Sequence, residues 1–174
     1  GEWGVALRLP DWAGDGATVT VNGQPQPVLG DRVVVRRAFR AGDEIVLWLP
    51  MHPRFTHPDP RIDAVRDCVA VERGPIVLCA ESPDGAIDLD RVRVDPDVPP
   101  ADYAASATPA ENEKNPEQST VSVSAVLEQT ASTAWPYADA AAGGARTPTS
   151  LRLIPYHRWG RQGPATMRIW LPKT

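Results

Sequence analysis

The stretch TVTVNGQPQ, Thr18 to Gln26, decides the class of fold. Val19 and Val21 alternate with threonines, a period of two that puts both valines on one face of an extended strand. Asn22-Gly23 follows at once, and because both residues tolerate positive φ the pair predicts a tight hairpin turn. Moving outward, Val5, Leu7 and Leu9 repeat the alternation. Gly30-Asp31 turns the chain into DRVVVRR, and Ala41-Gly42-Asp43 turns it into EIVLWLP, which Pro50 ends. The first fifty residues read as a meander of half-buried strands.

Beyond them, Met51 to Pro60 (MHPRFTHPDP) carries three prolines, which remove backbone donors and hold their neighbours extended. This run reads as a linker, with one module over residues 1–55 and a second over 56–174. In the second, CVAV and IVLCA read as strands broken by Glu72-Arg73-Gly74-Pro75, where a bend interrupts the ladder and leaves two charges in need of partners. AIDLDRVRV (86–94) and TVSVSAVL (120–127) alternate again. Residues 95–119 and 131–149, rich in Pro, Ala, Gly and polar residues, read as long loops. With no convincing helical period, the expectation is all-β: two small antiparallel sandwich modules, jelly-roll-like, the first of them truncated. GEWGVALRLP opens directly as a strand without a charged-then-apolar leader, so the chain reads as a portion of a longer protein.

Composition narrows the partners. The 174 residues carry 18 Lys and Arg against 22 Asp and Glu, a formal charge of −4. That balance gives no electrostatic reason to expect nucleic acid or an anionic bilayer. No apolar run approaches the ~20 residues of a membrane-spanning helix. Two cysteines are too few for a stapled secreted scaffold, and the cytoplasm is the favoured compartment.

Few residues suggest chemistry. Cys68 and Cys79 lack ligand spacing and read as small hydrophobes in facing strands, with a cross-strand disulfide as the other reading. His52 and His57 lack an evident third ligand and read as linker residues. Asp63, Asp67, Glu72 and Glu81 lie near strands, but acid–base hydrolysis needs two carboxylates across one cleft, and spacing does not show which would meet. Glu72 and Arg73 read as ion-paired at their bend. Of six tryptophans, Trp12, Trp135 and Trp159 lie in turn-like contexts where an indole can stack on a sugar face. Trp48 and Trp170 sit in apolar strands and read as core.

Four blocks, ALRLPDWAGDGATVTVNGQP, GDEIVLWLPMHPR, VAVERGPIVLCAE and LIPYHRWGRQGPATMRIWLP, taken in order, resemble the C-terminal region of the bacterial family 127 glycoside hydrolases, the β-L-arabinofuranosidase-like proteins. The resemblance spans most of the chain and leaves out 95–119 and 131–149. It implies a parent with an (α/α)6 catalytic barrel followed by β-sandwich modules, the zinc-bound cysteine nucleophile, its ligands and the acid/base Glu all belonging to the barrel. No position here matches those residues, so no catalytic, metal or cofactor residue is expected in this chain. The expected role is a non-catalytic accessory region that packs on that barrel and supports dimerisation; the rival is a carbohydrate-binding module using exposed tryptophans. The last block departs from the family at Gly160-Arg161, where an Asn-Arg pair is usual. Within it Tyr156, Trp159 and Arg161 read as a structural corner that fastens two strands across a loop.

Overall fold

The computed structural model describes residues 1–103, 119–129 and 144–174. The chain divides into two compact units, Gly1–His52 and Pro53–Thr174, and among the described residues the regular structure is strands with short 3-10 turns.

In the first unit, β1 (Trp3–Arg8) runs antiparallel to β4 (Arg32–Arg37), while β2 (Thr18–Val21) lies between β3 (Gln24–Gln26) and β5 (Ile45–Trp48). Alternation decides the packing: Val19, Val21, Val33 and Val35 turn inward and are at most 6 % exposed. With Leu9, Ala13 and Ala17 they form the core that joins the two sheets. The hairpin between β2 and β3 has Asn22 at φ 50° and Gly23 at φ 76°, the pair of positive values a type I′ turn requires. Asn22 also fastens this turn to the next. Its Nδ2 donates to Asp43 Oδ1 at 2.8 Å, and its Oδ1 accepts from the Glu44 amide at 2.8 Å.

These bonds give a pH prediction. The Arg40 amide, then the Asn22 side chain, hold the Asp43 carboxyl below its ordinary pKa of 3.8. A carboxyl whose folded pKa is depressed adds stability above its unfolded value, and that stability is lost as pH falls through the folded one. The Asp43 carboxyl should therefore titrate below its ordinary value, and Asn22→Ala should move its midpoint upward in an NMR titration. An unchanged midpoint in the variant would mean that Asn22 does not hold the carboxylate.

The second unit begins one strand earlier than the boundary at 55/56 expected from its prolines. β6 (Pro53–Thr56) pairs with β7 (Cys68–Arg73), so four residues of the expected linker are ladder. Glu72 and Arg73 also belong to the ladder: they face Val77 and Ile76 of β8 (Ile76–Pro83), and only Gly74-Pro75 forms the turn. Gly74 at φ 54°, followed by the fixed negative φ of proline, suits a two-residue hairpin of the II′ kind. AIDLDRVRV is strand only at β9 (Val92–Val94), because Asp88 caps a short 3-10 turn that takes Leu89 into the core. Ala101–Asp102 (β10) pairs with β11 (Val121–Glu128) inside a stretch expected to be loop. Likewise β12 (Arg146–Pro155) starts three residues before the expected end of the 131–149 loop. Pro148 is tolerated there because β12 meets β8 only from Leu153 onward, so at residue 148 one edge of the strand is free of that partner. The remainder of both expected loops lies outside the described residues.

Among the described residues nine strands of this unit form one sheet, in which β10, β11, β12, β8, β7 and β14 (Leu171–Pro172) are successive neighbours. β9 pairs beside β10 on β11, β6 on β7, and β13 (Ala165–Arg168) on β8. The sheet curls back on itself. Val94 of β9 bridges Lys173 just after β14, and the Thr174 amide donates to Val94 O at 2.9 Å. Opposite strands therefore face each other across a single core, the two-layer packing of a sandwich achieved by one curled sheet. Val69, Val71, Leu78, Val92, Val94, Val121, Val123, Leu153 and Leu171 fill it, each at most 1 % exposed. Arg73, at 1 % exposed, is ion-paired with Asp102, and Glu72 with Arg54. Both charges at the bend thus have partners.

Candidate functional site

The corner expected at the chain's end forms between β12 and β13. Pro155 ends β12, Tyr156–Arg158 make one 3-10 turn, and the Trp159 amide donates to Tyr156 O at 3.1 Å. Gly160 then takes φ 71°, a value costly for a side-chain-bearing residue, and its amide donates to Glu81 Oε1 of β8 at 2.9 Å. A backbone amide and Glu81 thus take part in the fastening. Tyr156 and Trp159, expected to clamp the strands, are 46 % and 41 % exposed.

Alternation explains what the corner covers. Leu78 and Ala80 of β8 face the core, so Cys79, Glu81 and Pro83 point to the opposite side. Ile154 of β12 is the register partner of Cys79 and shares that face. The loop lies along it, leaving a partly open cavity of about 170 Å³ lined by Glu81, Pro83, Arg152, Ile154, Arg158, Arg161 and Gln162. Arg161 is therefore part of a cavity wall. Arg152 also lies over the Tyr103 ring, 5.4 Å from its centroid.

Beneath this face Cys79 is sealed from solvent, and burial, with Glu81 adding to it, pushes its thiol up to about 11. Both cysteines are free thiols, and Cys68 is only half-buried. Because the thiolate is the reactive form, iodoacetamide at mildly alkaline pH should alkylate Cys68 in the folded protein and spare Cys79 until it unfolds. Equal labelling of both, read by peptide mass, would show that the corner opens.

The other candidates are dispersed. Asp63 pairs with Arg66, Asp67 lies 3.9 Å from Lys173, and Glu72 pairs with Arg54, so of the four carboxylates only Glu81 lines the corner cavity. His52 and His57 are exposed at either end of β6. Among the described residues no three His, Cys, Asp or Glu side chains gather as metal ligands, and the buried Cys79 thiol is poorly suited to binding as thiolate, so these residues do not fit a zinc site. Trp12 packs half-buried against the first core, while Trp135 lies outside the described residues. Trp48 corrects the core expectation. It ends β5 on the outward side of the alternation and is 47 % exposed, whereas Trp170, between β13 and β14, is half-buried. Trp3, not singled out by the sequence, is 56 % exposed and sits 4.4 Å from the Phe39 ring, a contact that only the β1–β4 pairing creates.

Known proteins share this organisation. Residues 2–51 match the model of the GH127 middle domain of β-L-arabinofuranosidase, and residues 53–172 match that of the glycoside hydrolase family 127 C-terminal domain. A non-reducing end β-L-arabinofuranosidase of Bifidobacterium longum subsp. longum is 36 % identical over 167 residues, which cover 94 % of this chain and 25 % of that protein. The crystal structure of a GH127 β-L-arabinofuranosidase from Geobacillus stearothermophilus T6 superimposes with a TM-score of 0.77 at 26 % identity, over 100 % of this chain and 27 % of that one. A second solved GH127 β-arabinofuranosidase gives a TM-score of 0.74 at 26 % identity, over 100 % of this chain and 28 % of its own.

Proposed function

The chain belongs to glycoside hydrolase family 127, and from that premise we propose that it serves as the non-catalytic accessory β-region of a bacterial β-L-arabinofuranosidase-like hydrolase. It spans about a quarter of the length of the relatives it matches. The observation that carries the reading is the assignment of residues. The middle-domain and C-terminal-domain matches together account for 2–51 and 53–172, and their boundary falls where the structure separates its two units, between His52 and Pro53. On this reading hydrolysis, and the zinc that the family resemblance implies, belong to a catalytic barrel on which this region packs. The chain's own contribution is architectural, and it extends to supporting a homodimer.

The test compares this chain with a longer form carrying the catalytic barrel, on an aryl β-L-arabinofuranoside and with enough protein to detect slow turnover. The expected result is a silent chain beside an active longer form. Turnover by this chain alone would overturn the accessory role.

A second reading, a carbohydrate-binding module, is favoured by the exposed indoles of Trp3, Trp48 and Trp159. It predicts that arabinosides quench tryptophan fluorescence, with the quench reduced in Trp159→Ala or Trp48→Ala. A flat titration at millimolar sugar would remove it.

A further inference from the structure

The cavity under the corner joins chemistry of three kinds. Arg152, Arg158 and Arg161 line one small space in which Glu81 is the only carboxylate among the described lining residues. Arg161 has no acidic partner among the described residues, and one oxygen of Glu81 is already engaged by the Gly160 amide. In a chain whose formal charge is −4, the described lining carries more cationic than anionic side chains. Ile154 and Pro83 supply an apolar wall and Gln162 an amide that both donates and accepts. At about 170 Å³ the space is below the ~300 Å³ of a drug-sized site, and suits one sugar ring or less.

We propose that this cavity binds the carboxylate of an acidic sugar residue, a uronate. Forked guanidinium groups match a planar carboxylate with paired N–H bonds. The Gln162 amide meets a ring hydroxyl, and the C–H face of the sugar lies against Ile154 and Pro83. Two features favour a uronate over a bare phosphate. An apolar wall does nothing for an inorganic anion, and the retained carboxylate of Glu81 opposes a dianion more strongly than a monoanion. The site concerns this chain's own surface and stands whether or not the accessory role holds.

The test is calorimetric and NMR titration of the protein with three probes: sodium glucuronate, methyl glucoside as its uncharged counterpart, and inorganic phosphate. Millimolar binding of glucuronate is expected, with methyl glucoside silent and phosphate weaker. Arg161→Glu should weaken glucuronate at least about tenfold. Glu81→Gln keeps an acceptor for the Gly160 amide while removing the opposing charge, and should tighten binding by about threefold. Arg161 is exposed and outside the cores, so an unchanged melting curve for its variant keeps the result interpretable. Equal binding of glucuronate and methyl glucoside, tighter binding of phosphate, no binding by any probe, or indifference to both substitutions would each overturn the assignment.

Discussion

Asp102→Ala should destabilise the second unit by about 3 kcal/mol, the largest loss expected from a single surface-reachable position. Asp102 is itself 26 % exposed in side chain, but its partner Arg73 is 1 % exposed, so the substitution takes a carboxylate away from a cation that water cannot reach. The consequence falls on β7, β10 and β11 together, because Asp102 sits on β10, which pairs with Val121 and Ser122, while Arg73 ends β7. Asp102→Asn keeps an acceptor beside the guanidinium and should cost less. Arg73→Met is the informative contrast. It removes the buried charge and keeps apolar volume, and the Asp102 carboxylate it leaves has access to solvent, so it should be milder than Asp102→Ala. Denaturant unfolding of the three variants checks this order, with Asp102→Ala lowering Tm by roughly 10 °C. If Arg73→Met proves the worst, the arginine's other contacts outweigh its charge.

That pair also shows where reading the sequence stops. The alternation of Val19, Val21, Val33, Val35, Val121 and Val123 is a local property, and every one of these valines faces a core as the period of two demands. Asn22-Gly23 is equally local, and its turn forms as written. Arg73 and Asp102 are 29 residues apart, and no spacing rule joins them; the partner that the bend's charge required sits in a segment whose composition reads as loop. The same limit applies at the corner. Tyr156, Trp159 and Arg161 attract notice because they are large, yet the Gly160 amide on Glu81, 79 residues away, takes part in fastening the loop. Glu81 stood among the carboxylates near strands, but only the β8–β12 register brings it to the arginines. Trp48 was misplaced for a different reason. A continuous apolar run hides its own phase, and pairing of Val46 and Trp48 with Thr20 and Thr18 puts them on the outward face.

Leu153→Ala should cost about 3 to 4 kcal/mol, because the residue is fully buried and the two ladders around it leave little room to collapse into the space. On one side Leu153 faces Val121 of β11, on the other Ala80 of β8, so it lies where the curled sheet joins its two halves. The loss should stay within the second unit. The two cores have no residue in common, one drawing on Val19 and Val33 and the other on Val71, Leu78 and Leu153. A unit with its own core opens on its own, and native-state hydrogen exchange resolves such openings. Amides of β8, β11 and β12 should therefore exchange faster in Leu153→Ala, while those of β2 and β5 keep their rates. Val19→Ala should do the reverse at lower cost, about 1 to 2 kcal/mol for two methyl groups. The double variant should show the sum of the two effects, each confined to its own ladder. Equal acceleration of β2 and β12 by Leu153→Ala would mean that the two units unfold as one, and the division at His52 would then describe the fold without describing its stability.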